Sequence, residues 1–189
     1  MTRLSVFSGS SRADSYNQKF ANQLASDASS HGAELTYVNL SEFELPIYNG
    51  DLESTDGLPV AVAELKQILQ DQSGMIIACP EYNGFMTPML INTIDWCTRS
   101  AEASVDLSAF AGKTVLIAGA SPGPGGGGRA VSHLRTLLSG LGAIVFPQSL
   151  TIPSAYIAFD EQGLLKDEKT TDRAKRMVGQ FVEFTRRFE

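Results

Sequence analysis

Short apolar runs alternate about five times with longer stretches of helical period, which is the pattern of an α/β chain built on a parallel sheet. Runs at 4–7, 35–38, 75–79, 114–118 and 143–146 predict strands of four or five residues. The stretch after the first run has a capping box, with Ser15 as N-cap and Gln18 three positions on. Phe20, Leu24 and Ala28 then lie on one face, and Gly32 stands at the end. Pro59 opens a second helix carrying Val62, Leu65 and Leu69, and Pro88 opens a third behind Thr87 as N-cap. A fourth spans 128–139 with Val131, Leu134 and Leu138 in register. The last begins at Asp172 and should bury Met177, Phe181, Phe184 and Phe188.

Two connections, 41–58 and 151–170, exceed the roughly 12–15 residues of ordinary loops, which marks them as lids or interface pieces. The third helix is apolar on two faces, with Leu90, Ile94 and Cys97 on one and Met89 and Trp96 on the other. A second apolar face calls for a second partner, either another subunit or the long connection folded over Trp96.

A length of 189 residues with 43% hydrophobic composition suits one domain over 1–189. The formal net charge of -6 argues against nucleic acid as a partner. No segment approaches the roughly 18 apolar residues of a membrane span, and the start of the chain lacks the apolar stretch of a secretory signal. A cytoplasmic protein is expected. Cys79 and Cys97 are far apart and outside any CxxC pattern, so both read as small buried hydrophobes. His31 and His133 fall on predicted helices without a partner in sequence, and no metal is expected.

In an open parallel sheet, ligands lie beyond the carboxyl ends of the strands, where strand order reverses. Three loops there carry unusual residues. The first, Ser8 to Asn17, sets Ser10, Ser11, Arg12 and Ser15 before a helix N-terminus, where free N–H groups and a guanidinium suit a phosphate. The same residues also describe a capped helix start with a surface arginine. There is no Walker pattern, which argues against triphosphate hydrolysis. The second loop, Pro80-Glu81-Tyr82-Asn83-Gly84-Phe85-Met86-Thr87-Pro88, offers an aromatic and exposed backbone to a flat ring. An Asn-Gly turn feeding a helix accounts for its later residues but not for Glu81 and Tyr82. The third, 120–129, formally contains GxGxxG at Gly123, Gly125 and Gly128. It follows a late strand and has no acidic residue about 20 positions on, so close approach of backbone to a ligand is the better use of its glycines. A plain flexible loop is the alternative.

Taken together, Gly-Ser-Ser-Arg-x-x-Ser-Tyr-Asn at 9–17, Pro-Glu-Tyr-Asn-Gly at 80–84, Asn-Thr-Ile-Asp-Trp at 92–96 and Gly-Gly-Arg-Ala at 127–130 resemble the NADPH-dependent FMN reductase family, which includes bacterial quinone, azo and chromate reductases. The likeness extends to Leu-Pro-Ile-Tyr at 45–48 and Phe-Asp-Glu-Gln-Gly at 159–163. It implies a flavodoxin-like three-layer sandwich, with a five-stranded parallel sheet of order 2-1-3-4-5, helices on both faces and FMN at the switch point. By that resemblance Ser10, Arg12, Ser15, Tyr16 and Asn17 hold the FMN phosphate. Pro80, Glu81, Tyr82, Asn83 and Gly84 line the isoalloxazine, and Ser121 and Gly123 close the other side. Pro122, Pro124 and four consecutive glycines depart from the family pattern in that third loop.

The resemblance also implies a homodimer or homotetramer that takes NADPH or NADH and passes hydride through FMN to a quinone or similar small-molecule acceptor by ping-pong kinetics. No side chain is assigned as a catalytic acid or base, because the flavin carries the chemistry. The alternatives are a flavodoxin-type electron carrier serving a protein partner and a binding protein that keeps the fold without flavin. The carrier's threonine-rich phosphate loop is absent.

Overall fold

The computed structural model describes residues 1–189. In chain order its strands are β1 (Arg3–Ser8), β2 (Glu34–Val38), β3 (Gly74–Ala78), β4 (Glu81–Tyr82), β5 (Phe85–Met86), β6 (Thr114–Ala120), β7 (Ile144–Val145) and β8 (Leu150–Ile152). The helices are α1 (Tyr16–Ser30), α2 (Gly50–Asp56), α3 (Val60–Gln70), α4 (Pro88–Cys97), α5 (Gly128–Gly140), α6 (Ala155–Ala158) and α7 (Glu168–Arg186).

The main sheet is parallel, in the order β2-β1-β3-β6-β7 with β8 also on β6, while β4 and β5 form a separate hairpin. Both β3 and β6 are buried along their whole length. Strands covered on both faces need continuous apolar runs, which is why these two are so plain in the sequence. On one face Leu4 and Val6 pack against Phe20 and Leu24 of α1 and Met177 and Phe181 of α7. On the other, Phe7 and Ile77 meet Leu65 of α3, Leu90 and Ile94 of α4, and Leu134 of α5. This is the flavodoxin-like arrangement expected from the family resemblance.

The fifth sheet position differs from expectation. In place of one strand over 143–146, two short pieces share the edge of β6: Val115 pairs with Val145, and Ala118 with Leu150. Three steps along β6 thus face five along the other chain. Pro147, within the excess, has no N–H to give the ladder, so the strand breaks and resumes.

Helix ends show which signals are local. The Ser15 hydroxyl accepts from Gln18 N–H at 3.3 Å, and the Thr87 hydroxyl accepts from Leu90 N–H at 3.3 Å, both at the expected caps. The reciprocal half of the capping box is not made, because the Gln18 amide donates instead to Asn22 Oδ1 at 3.0 Å. α7 starts earlier than expected, capped by Asp167, whose carboxylate accepts from Thr170 N–H at 2.8 Å. Phe188 lies beyond its end and is exposed. The 41–58 connection contains α2, and the 151–170 connection contains α6 and part of β8 and α7.

The second apolar face of α4 is covered from within the chain. Trp96 is fully buried, its indole donates to the Pro46 carbonyl at 2.7 Å, and Tyr48 meets it edge-on at 5.0 Å. Asn92 fixes the same segment, accepting from Tyr48 N–H at 2.8 Å and donating to Pro46 at 2.9 Å. Below it, the Arg99 guanidinium pairs with buried Glu53 of α2 at 2.8 Å, and the Tyr48 hydroxyl donates to the same carboxylate at 3.0 Å. Trp96 therefore lends no support to a subunit contact; it seats the strap. No helix is long and apolar enough to cross a membrane.

Candidate functional site

The register places the carboxyl ends of β1, β3 and β6 side by side, through Ser8 opposite Ala78 and Ala78 opposite Ala118. Strand order reverses between β1 and β3, since β2 lies on the far side of β1. The loops after these strands are the three that stood out in sequence, and they converge there.

Loop one follows β1. The backbone N–H groups of Ser10, Ser11, Ala13 and Ser15 take no partner from the chain, and those of Tyr16 and Asn17 are free as the first turn of α1. Arg12 is exposed and makes no ion pair, whereas nearby Asp14 is matched by Lys19 at 2.5 Å. The Lys19 hydrogen bond draws the Asp14 carboxyl below its usual range. Loop one thus carries an unmatched guanidinium three residues before the N-cap of α1, whose end is positive. The Ser10 hydroxyl accepts from Arg12 N–H at 3.3 Å, giving the loop its turn.

Two residues expected to hold the phosphate face elsewhere. The Asn17 carboxamide donates to the Ala120 carbonyl at 2.8 Å and accepts from the Ala120 N–H at 2.9 Å. Its side chain thereby locks the start of α1 to the end of β6, leaving only its backbone N–H for a ligand. The Tyr16 ring stacks on Phe159 with centroids 6.3 Å apart.

Loop two turns back on itself. Asn83 and Gly84 both have positive φ, 53° and 82°, the conformation a two-residue hairpin requires and Asn-Gly supplies. The hairpin leaves Tyr82 and Phe85 exposed at its tip, with Phe85 packed on the His133 ring at 4.6 Å. Pro80 is buried beneath. Glu81 does not face the ring position: its carboxylate accepts from Arg129 N–H at 3.1 Å and Ala130 N–H at 3.3 Å, and pairs with the Arg129 guanidinium at 2.7 Å. It is a cap for α5 supplied from another loop, needed because Gly127 at the N-cap has no side chain. Burial pushes the Glu81 carboxyl up, but the Arg129 and Ala130 hydrogen bonds outweigh it and hold the group below its usual range.

Loop three is shaped by its glycines. A Cβ on Gly126, whose φ is 62°, would stand 2.9 Å from the backbone of Ile152 and Pro153. The Ser121 hydroxyl accepts from Gly123 N–H at 3.2 Å, and the Gly123 carbonyl accepts from Gly126 N–H at 3.3 Å, so Gly123 is committed to the turn. With Glu81, Arg129 and His133 this loop borders a cavity of about 700 Å³. The anion that α5 attracts is the chain's own Glu81, which argues further against pyrophosphate on this GxGxxG.

One tie and one tight fit are not visible in sequence. The Thr87 hydroxyl, beyond capping α4, donates to the Gly9 carbonyl at 2.6 Å and joins loop two to loop one. Gly9 itself leaves no room there, since a Cβ would stand 2.9 Å from Leu90 Cβ and 3.1 Å from Pro80 Cδ. Cys79, beside the site, is pushed up to about 12 by burial and then by the Glu81 charge, so it offers no thiolate.

A family model described as NADPH-dependent FMN reductase matches residues 2–156. The chain is 35% identical over 183 residues to the NAD(P)H-dependent FMN reductase of Pseudomonas aeruginosa, covering 95% of this chain and 93% of that one. It is also 35% identical over 159 residues to the 2-hydroxy-1,4-benzoquinone reductase of a Burkholderia species, covering 84% and 80%. Among solved structures, FerB, a flavoenzyme NAD(P)H:(acceptor) oxidoreductase from Paracoccus denitrificans, superposes with a TM-score of 0.81 at 28% identity, over 99% of this chain and 98% of that one.

Proposed function

The chain belongs to the NADPH-dependent FMN reductase family, and from that premise we propose that it is an FMN-dependent NAD(P)H oxidoreductase that reduces quinones and similar small acceptors. The observation that carries the reading is the donor set of loop one. A phosphate monoester dianion needs several N–H and O–H donors and a cation, and the free backbone N–H groups of Ser10, Ser11, Ala13, Ser15, Tyr16 and Asn17 with the Arg12 guanidinium offer that set. The residues present therefore fit FMN.

Ser10, Arg12 and Ser15, with the backbone of Tyr16 and Asn17, would hold the phosphate. Pro80, Tyr82, Asn83 and Gly84 would border the ring on one side and Ser121 on the other. Asn17, Glu81 and Thr87 keep the three loops at their separation through the backbone bonds already described. FMN, when bound, would supply the two-electron redox chemistry between nicotinamide and acceptor. The chain's own part is to bind and orient. No buried acid or base stands ready in the loops, and Cys79 keeps its proton.

The cavity bordered by the Gly-rich loop supports successive use of one space by NAD(P)H and acceptor, hence ping-pong kinetics. The test is steady-state turnover of the yellow protein with NADH or NADPH against a panel of quinones, after its flavin content is measured. Parallel double-reciprocal lines are expected. Intersecting lines, or a protein that FMN does not stabilise, would overturn the reading. We further propose assembly as a homodimer or dimer of dimers; exposed Ile47 on the strap, with Tyr82 and Phe85 at the hairpin tip, supports an apolar contact. Light scattering on the eluting protein checks it.

A further inference from the structure

Loop one has two neighbours, because β1 lies between β2 and β3. The ring-bordering loop follows β3. On the β2 side a separate cavity of about 530 Å³ opens, lined by Ser10, Arg12, Gln18, Tyr37, Asn39 and Glu42 among others. Its size is within the roughly 300–1,000 Å³ of small-molecule sites, and the flavin reading uses only its loop-one edge at Ser10 and Arg12, leaving the β2 side without a role.

Three of its residues carry distinct chemistries. Tyr37, on the edge strand, keeps 59% of its surface exposed and offers an aromatic face to the cleft. Glu42, just past β2, has one carboxylate oxygen fixed by the Asn39 amide at 3.0 Å, while the other has no partner within the chain. A carboxylate just past the second strand of a βαβ unit is well suited to accept a ribose diol. Arg12 lines this cavity and also belongs to loop one, with its guanidinium unmatched by any carboxylate. An aromatic surface, a diol acceptor and a phosphate cation are the needs of a nucleotide.

We propose that this cleft binds an adenosine 5′-phosphate moiety, with the base on Tyr37, the ribose hydroxyls on Glu42 and the phosphate toward Arg12. The inference rests on the flavin reading for its continuity, since Arg12 is shared between the cleft and the FMN phosphate loop. Two ligands carry this moiety: FAD, bound in place of FMN, and NADH. A phosphate on the ribose 2′ position would meet the Glu42 charge, so the cleft suits the unphosphorylated ribose.

The experiment compares wild type with Tyr37→Ala and Glu42→Gln, both at exposed positions. FMN-loaded protein is equilibrated with mixtures of FMN and FAD, desalted, and its bound flavin separated by chromatography. If FAD is the source, each variant lowers the FAD-to-FMN binding ratio about ten-fold, with FMN affinity unchanged. If NADH is the source, the ratio holds and KM for NADH rises about ten-fold in both variants, with kcat retained. A ratio and a KM that both stay within two-fold overturn the proposal. AMP titrated into flavin-free protein separates the two readings. FMN binding without AMP binding overturns the cleft alone, whereas Tyr37-dependent AMP binding in a protein that takes no FMN upholds the cleft and overturns the flavin reading.

Discussion

Asn17→Ala separates a side chain that grips a ligand from one that holds the frame around it. In the folded chain the Asn17 carboxamide makes two bonds to the backbone of Ala120, at 2.8 and 2.9 Å, and the residue is 5% exposed. Alanine leaves the Ala120 N–H and C=O without these partners where water has poor access. Each orphaned buried group costs roughly 1–3 kcal/mol. The lower part of that range applies at a strand end, which gives about 2–4 kcal/mol for the pair. In a domain of this size each kcal/mol moves Tm by roughly 2–4 °C, so the flavin-free variant should melt about 5–15 °C below wild type.

The assay is calorimetry of both proteins without flavin and at saturating FMN. Ligand adds stability by mass action, so the increment on adding FMN reports affinity separately from the frame. A residue that gripped the phosphate through its side chain would give the opposite partition: an unchanged Tm without flavin and a reduced increment with it. A flavin-free Tm within about 1 °C of wild type refutes the reasoning. Asn17→Asp sharpens it further. The carboxylate keeps the acceptor for Ala120 N–H but sets an oxygen against the Ala120 carbonyl, so this variant should regain stability as acid protonates it.

Gly9→Ala would bring a Cβ to 2.9 Å from Leu90 Cβ and 3.1 Å from Pro80 Cδ; overpacking of about 1–3 kcal/mol should lower Tm and weaken FMN binding together, both read in one thermal-shift series. Glu81→Gln removes the charge that caps α5 and pairs with Arg129; about 1 kcal/mol of stability should go, and addition of salt should narrow the gap to wild type. Asp106 is held at about 2, first by its hydrogen bond from Lys66 and then by Ser108. Its folded value is below the unfolded one of about 3.9, so its stabilisation is complete above that pH and vanishes as pH falls through 2. Asp106→Asn should therefore flatten that part of the acid limb in urea midpoints measured against pH. Cys79 and Cys97 are both pushed up to about 12, chiefly by burial; neither should react with a thiol reagent at neutral pH until denaturant is added, when two equivalents appear.

What could be read from the sequence follows how local each determinant is. β3 and β6 show as apolar runs because both faces of each strand are covered, and Ser15 and Thr87 show as caps because each bonds a backbone N–H three residues on. α2 was hidden: it has no apolar period, and its ion pair joins Glu53 to Arg99, 46 positions away. α7 began unseen because its first turn from Glu168 carries only polar and charged residues. The break at Pro147 depends on which β6 residues stand opposite, a matter of pairing that no local window contains. Trp96 illustrates the same limit, since a bulky apolar residue announces that something covers it without saying whether that is another chain or the Pro46 strap.

The site adds a further distinction. Its three loops were legible, but the roles within them divide by whether a side chain bonds backbone elsewhere. Asn17 ties loop one to the end of β6, Glu81 ties loop two to α5 behind loop three, and Thr87 ties loop two to Gly9. Asn17 and Glu81 are polar residues in a binding motif, so each reads as a ligand contact when only its type and position are known, while Thr87 reads only as a helix cap. The groups left free for a ligand are less conspicuous: the backbone N–H groups of Ser10, Ser11, Ala13, Ser15, Tyr16 and Asn17 and the guanidinium of Arg12. A flat cofactor bound between loops needs their spacing fixed before it arrives, because loops that order on binding subtract that entropy from affinity. The side chains that set the spacing therefore bear on flavin affinity without touching flavin. That is why the decisive measurement on Asn17 is the stability of the protein before any cofactor is added.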